Sequence, residues 1–284
     1  MKKHKNTSRI LNSLAVVMII LALVLLYTHI FLDPTSITKP YDISHSASDV
    51  PAALRYIPEG ISKAQKVYYE FKYKVEDIEK YIASVGDPWI FVMILLAIFL
   101  GKSIVSLVPI SITCLMSGLV FSFPKALAVN VAGIIILMTV KYWWGYKFNN
   151  GGYWATKIMN RYPNIKALLS YEGQPNPWVL FIFRLVPGFP VNAISQLYGS
   201  MKFDYRRYMF VSIAGFSIKM ISFTCIGCNV SNPFSAAFVV PLIVILFVSG
   251  FGILGVNFFV NRIIAKNESK KQSVVPEENN ADKK

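Results

Sequence analysis

The chain reads as an all-α polytopic membrane protein: an inverted repeat of a re-entrant hairpin plus a transmembrane helix, with about four full spans. Three observations lead there. Of the 284 residues, 54 % are hydrophobic. The apolar residues fall in blocks of the roughly 20 residues a bilayer core demands. Two stretches in the middle of the chain share proline and glycine landmarks in register.

The first block, residues 10–32, holds no formal charge over 23 positions. At about 1.5 Å per helical residue it can cross a bilayer. Its length, and the lack of a small-x-small site around Leu32-Asp33-Pro34, favour an uncleaved anchor over a signal peptide. Residues 1–32 are therefore the N-terminal tip and anchor. Residues 33–87 follow as an extracytoplasmic segment with seven Lys/Arg and nine acids. Within it, 61–82 places Ile61, Ala64, Tyr68, Phe71, Val75, Ile78 and Ile82 at 3-4-3-4 spacing, which predicts an amphipathic helix. Such a helix suits the membrane interface, or a short coiled coil with a partner.

Residues 88–228 form the expected membrane core. Pro109 and Gly118 are nine residues apart, as are Pro190 and Gly199. The segments Val129-Asn-Val-Ala-Gly133 and Val211-Ser-Ile-Ala-Gly215 follow at matching places, then Gly145 and Gly227. Each copy reads as an apolar arm, a proline break, a returning arm and a full span. The hairpins are expected at 88–120 and 176–200, and the spans at 125–146 and 205–228. Proline removes a backbone donor and blocks helix continuation. Such a break survives at membrane depth only when protein or a wet cavity covers it. A C-terminal transmembrane helix at 229–262 and a disordered cytoplasmic tail at 263–284 complete the layout.

Net charge is +14. Residues 88–267 carry 14 Lys/Arg and only two acids, Glu172 and Asp204. Many of these charges flank apolar segments, so the membrane surface rather than nucleic acid is the expected partner. Four Lys/Arg in Met1–Arg9 put the N-terminus in the cytoplasm. Re-entrant hairpins then place loop 147–175, Lys202, Arg206, Arg207 and the basic tail on the same side. Lys125 is the exception. The expectation is a multi-pass cell-membrane protein with both termini cytoplasmic.

Four cations sit inside the apolar core: Lys102, Lys141, Arg184 and Lys219. A charge in hydrocarbon costs a few kcal/mol or more and normally faces a cavity or a partner. Long side chains can also snorkel to headgroups. Arg184 is the sharpest case, six residues before Pro190. The helix restarting at Val191 points free N–H groups toward the break, and a guanidinium beside a helix N-terminus suits a phosphate. The expected ligand is thus an anionic lipid headgroup, bound by Arg184, Asn192, Ser195 and Gln196 with Lys141 and Lys219. Pro109, Gly118, Phe121, Pro187, Gly188, Pro190 and Gly199 shape the hairpins.

Enzyme chemistry has little support. Cys225-Ile-Gly-Cys228 has a redox spacing but no βαβ context, and reads as small packing residues. Gly250-Phe-Gly252-Ile-Leu-Gly255 has the letters of a dinucleotide fingerprint without a preceding strand, and reads as helix packing. Three scattered histidines argue against a metal site. No catalytic residue, metal or cofactor is expected, and a homo-oligomer is left open.

The stretch Phe183-Arg-Leu-Val-Pro-Gly-Phe-Pro-Val-Asn192, with Tyr198-Gly199, the upstream Ser117-Gly-Leu-Val-Phe121 and the later Gly215 and Gly227, resembles the DedA superfamily. That superfamily carries the VTT, or SNARE-associated Golgi protein, domain, and the likeness is to its bacterial branch over roughly residues 85–230. The resemblance implies two re-entrant hairpins in an inverted repeat. It also implies a role in membrane lipid homeostasis, through lipid scrambling or flipping of a polyprenyl-phosphate carrier. It marks Arg184, Pro187, Pro190, Gly199, Pro109, Gly118 and Phe121. Ser195-Gln196 departs from the Asn-Tyr that the family often shows there. The first repeat also lacks the embedded acids of proton-coupled relatives, which argues against proton coupling. A membrane scaffold without transport and an ion-coupled small-solute transporter are the alternatives.

Overall fold

The computed structural model describes residues 2–31, 63–84, 87–104, 109–148, 157, 160, 176–186 and 190–278. Among them there are only helices: α1 (Lys2–Phe31), α2 (Lys63–Ser84), α3 (Pro88–Ile104), α4 (Ile110–Val120), α5 (Phe123–Lys147), α6 (Pro177–Leu185), α7 (Val191–Ser200), α8 (Tyr205–Cys228) and α9 (Ala236–Glu278). Four of these are long and apolar enough to cross a membrane, over Arg9–Ile30, Phe123–Lys147, Tyr205–Cys228 and Ala236–Phe258. The chain is an all-α polytopic membrane protein. Its exposed surface carries many large apolar side chains, such as Val17, Ile20, Leu23, Ile94, Phe210 and Phe251. In water that would drive aggregation; against lipid tails it is the natural exterior.

The two proline breaks are real. α3 is described as far as Ile104, and Pro109 stands at the start of α4 with an extended backbone (φ −60°, ψ 139°). α6 stops at Leu185, and Pro190 does the same for α7 (φ −73°, ψ 111°). Helices α4, α6 and α7 have 11, 9 and 10 residues, or about 14–17 Å each, half a hydrocarbon core. Asn176 caps α6, its side chain accepting the Trp178 N–H at 2.8 Å with Pro177 in the first turn, a strong helix start. Pro187 and Gly188 lie outside the described residues.

The chain divides into two compact units. One comprises Met1–Ile19, Leu137–Ser217 and Phe247–Lys284, and so contains α6, α7, the end of α5 and the start of α8. The other comprises Ile20–Ile136 and Ile218–Leu246, with α2, α3, α4, the start of α5 and the end of α8. Each unit thus combines one hairpin, the first half of its own span and the second half of the other repeat's span.

In the unit holding α6 and α7, α1 lies against α9. A Cβ on Gly250 would meet Ile19 and Ala15, and Asn257 donates to Asn12 at 2.7 Å. Gly252 lies against Val186. Of the three glycines at 250–255, Gly250 and Gly252 thus serve helix packing, whereas Gly255 has open space around it.

Several boundaries differ from expectation, and the C-terminal helix begins at Ala236 rather than 229. The amphipathic helix expected at 61–82 runs on to Ser84, described from Lys63 with 61 and 62 outside the described residues; Val75 is buried and a Lys72–Glu76 pair at 3.9 Å lies on its polar side. The tail expected to be disordered from 263 is helical as far as Glu278. Polar composition argues for solvent, not against helix. Ala265, Lys266, Glu268, Lys270, Lys271 and Gln272 are all good helix formers.

Candidate functional site

Arg184 is completely buried, in the last turn of α6. The negative end of that short helix favours a cation there. Its Nε donates to Ser212 Oγ at 3.2 Å. Nη1 donates to the Val191 carbonyl at 3.1 Å, and Nη2 to Ser195 Oγ at 2.9 Å and Tyr208 Oη at 3.0 Å. The guanidinium also sits 5.7 Å from the Tyr208 ring centre. Four of its five N–H donors are thereby used, all on neutral acceptors. No described acidic residue lies within ion-pair distance. The arginine ties three helices together: α6 supplies it, α7 receives it twice, and α8 twice.

Small residues bring these helices together. A Cβ on Gly215 would meet the Arg184 Cβ at 2.8 Å and the Phe181 carbonyl at 2.9 Å. Tyr208 is fully buried, stacks on Tyr142 at 4.8 Å between ring centres and donates weakly to the Met138 carbonyl at 3.4 Å. Tyr142 in turn donates to the Phe203 carbonyl. Aromatic packing against α5 thus holds the hydroxyl that Arg184 uses.

The first hairpin shows the same frame with other chemistry. Lys102 and Arg184 are 82 residues apart, as are Asn130 and Ser212, Phe99 and Phe181, and Gly133 and Gly215. Phe99 packs on Gly133 where Phe181 and Arg184 pack on Gly215. Lys102 is buried at 7 % exposure. Asn130 donates to Thr224 Oγ1 at 2.9 Å and to the Cys114 carbonyl at 3.5 Å. Its Oδ1, and the buried Thr113 hydroxyl, have no hydrogen-bond partner among the described residues.

The glycine landmarks repeat with the same fidelity. A Cβ on Gly118 would strike the Thr224 carbonyl, and one on Gly199 the Tyr142 carbonyl. A Cβ on Gly227 would strike the Leu115 carbonyl, and one on Gly145 the Gln196 carbonyl. In each unit the returning arm lies backbone to backbone on the end of the other repeat's span.

A family match identifies the segment carrying this frame. The VTT domain matches residues 108–229. The match takes in both proline breaks, Arg184 and both glycine pairs, and agrees with the resemblance to the DedA superfamily. It leaves α3 outside, so Lys102 precedes the VTT domain. No curated protein and no solved structure matches the chain.

The sequence-derived residues distribute unevenly. Arg184 and Ser195 are in direct contact. Asn192 lies on the first turn of α7 and is half-buried. Gln196 is half-buried, its carbonyl against Gly145. Lys141 is buried, its ammonium over the Trp144 ring at 5.6 Å from the centre. Lys219 belongs to the unit of the first hairpin. Phe121 ends α4, and its carbonyl faces the Cys228 thiol at 3.7 Å. Cys225 and Cys228 are free thiols, in keeping with a packing role. Sequence reasoning missed Tyr208 and Ser212. Ser212 had a signal: it occupies the place of Asn130 in the two Gly133/Gly215 segments.

Proposed function

We propose that this VTT-domain protein moves anionic lipid, such as a phospholipid or a polyprenyl-phosphate carrier, between the leaflets of the cell membrane, with both termini cytoplasmic. One observation carries the reading: a fully buried guanidinium, at a helix break, surrounded by neutral acceptors and no described acid. The N-terminus of α7 adds positive potential beside it. An arrangement of two like-signed fields is costly without an anion, and a lipid phosphate is the anion a membrane offers. One Nη1 hydrogen has no described acceptor, and the Ser195 and Tyr208 hydroxyls that hold Nη2 can rotate to donate to phosphate oxygens. In this reading the described network is the closed state, and opening the break exchanges neutral acceptors for the headgroup.

The completeness of that network favours a second reading, in which Arg184 is only a strut. Reconstitution separates them. Translocation of a fluorescent anionic phospholipid in proteoliposomes should fall at least tenfold in Arg184→Gln, and Arg184→Lys should restore a part of it. Arg184→Gln at wild-type rate, with its fold intact, removes the arginine from transport.

A further inference from the structure

The unit of the first hairpin contains a groove of about 780 Å³, within the range of small-molecule sites. It lies where the end of α2, the start of α3, the end of α4 and the start of α5 converge, lined by Ile82, Asp87, Trp89, Phe121, Lys125 and Val129 among others. Its walls are mainly apolar and aromatic. Trp89 is 73 % exposed at the first turn of α3, as aromatic residues at a membrane–water interface are. Two charges of opposite sign stand in this lining, Asp87 and Lys125, both exposed. They do not pair with each other. Among the described residues Lys125 has no ion pair, and the Asp87 carboxylate accepts the Trp89 N–H at 3.0 Å but meets no cation. Lys125 is also the cation that the charge pattern of the chain does not explain.

We infer that this groove binds a zwitterionic aminophospholipid. The Lys125 ammonium receives the phosphate, the Asp87 carboxylate receives the headgroup ammonium, and the apolar walls take the upper acyl chain. An anionic lipid satisfies Lys125 but meets repulsion from Asp87. An apolar peptide leaves both charges unmatched. The volume holds a headgroup and the adjoining chain rather than a whole lipid. The site is independent of Arg184.

Native mass spectrometry of the full chain, offered equal phosphatidylethanolamine and phosphatidylglycerol with identical acyl chains, tests the inference. Anionic lipid held at Arg184 contributes equally to wild type and groove variants, so the change in ratio is the readout. Asp87→Asn keeps the cap of α3 and removes the ammonium partner. It should shift retention toward phosphatidylglycerol by about two- to fivefold, the scale of an exposed charge pair. Val129→Trp fills the groove and should reduce phosphatidylethanolamine retention. A ratio that Asp87→Asn leaves unmoved, or full retention in a folded Val129→Trp protein, overturns it.

Discussion

The two hairpins share a backbone and differ in what they bury. In both, a proline starts the returning arm, and a glycine near its end packs on the span of the other repeat. At the corresponding buried positions the second hairpin has a guanidinium making four hydrogen bonds. The first has Lys102, an asparagine bonded to Thr224, and two acceptors left over. The frame tolerates no Cβ at its crossings, so it stays constant, whereas side chains inside each break are free to diverge. Architecture therefore resides in the glycines, and the difference in buried hydrogen bonding in residues 184, 195, 208 and 212.

Breaking the shared frame should have the largest effect. Gly118→Val and Gly199→Val each force a side chain into a backbone carbonyl, and should cost about 3 kcal/mol or more, read as loss of monodisperse protein on size-exclusion chromatography. Gly255→Ala, in open space, should gain a few tenths to about 1 kcal/mol. Next in size, Arg184→Met should lower stability by about 1–3 kcal/mol through the acceptors it orphans, measured by thermal unfolding in detergent. In the first hairpin, Thr224→Val should cost about 1 kcal/mol, since it strands the Asn130 amide. Thr224→Val combined with Asn130→Leu should cost less than the two singles added, and simple additivity would remove that hydrogen bond from the account. A change of similar size concerns Lys202, which holds a left-handed φ of 54° just after α7, its N–H bonded to the Gly199 carbonyl. Lys202→Gly should stabilise by about 1 kcal/mol.

Most of the frame was legible in the sequence because proline and glycine act locally. Pro109 and Pro190 forbid continuation wherever they fall; the span expected at 205–228 is Tyr205–Cys228, and the one at 125–146 is extended only to Phe123–Lys147. The site was half legible. Arg184 and Ser195 stand out as polar groups in an apolar run. Tyr208 does not, since a tyrosine beside Arg206 and Arg207 looks interfacial until its stacking on Tyr142 is seen. The helical extension to Glu278 was hidden for another reason: composition reports solvation, and a solvated segment can still be a helix.

The central claim is that the Arg184 charge is kept unmatched for an anionic headgroup. Ser195→Asp would give the guanidinium a carboxylate at 2.9 Å or so, in place of a hydroxyl. Anionic-lipid translocation by this variant in proteoliposomes is the most direct measurement. The account predicts that transport is lost while the thermal midpoint holds or rises, because the protein has supplied its own counter-ion. Transport at the wild-type rate in the folded variant would contradict it.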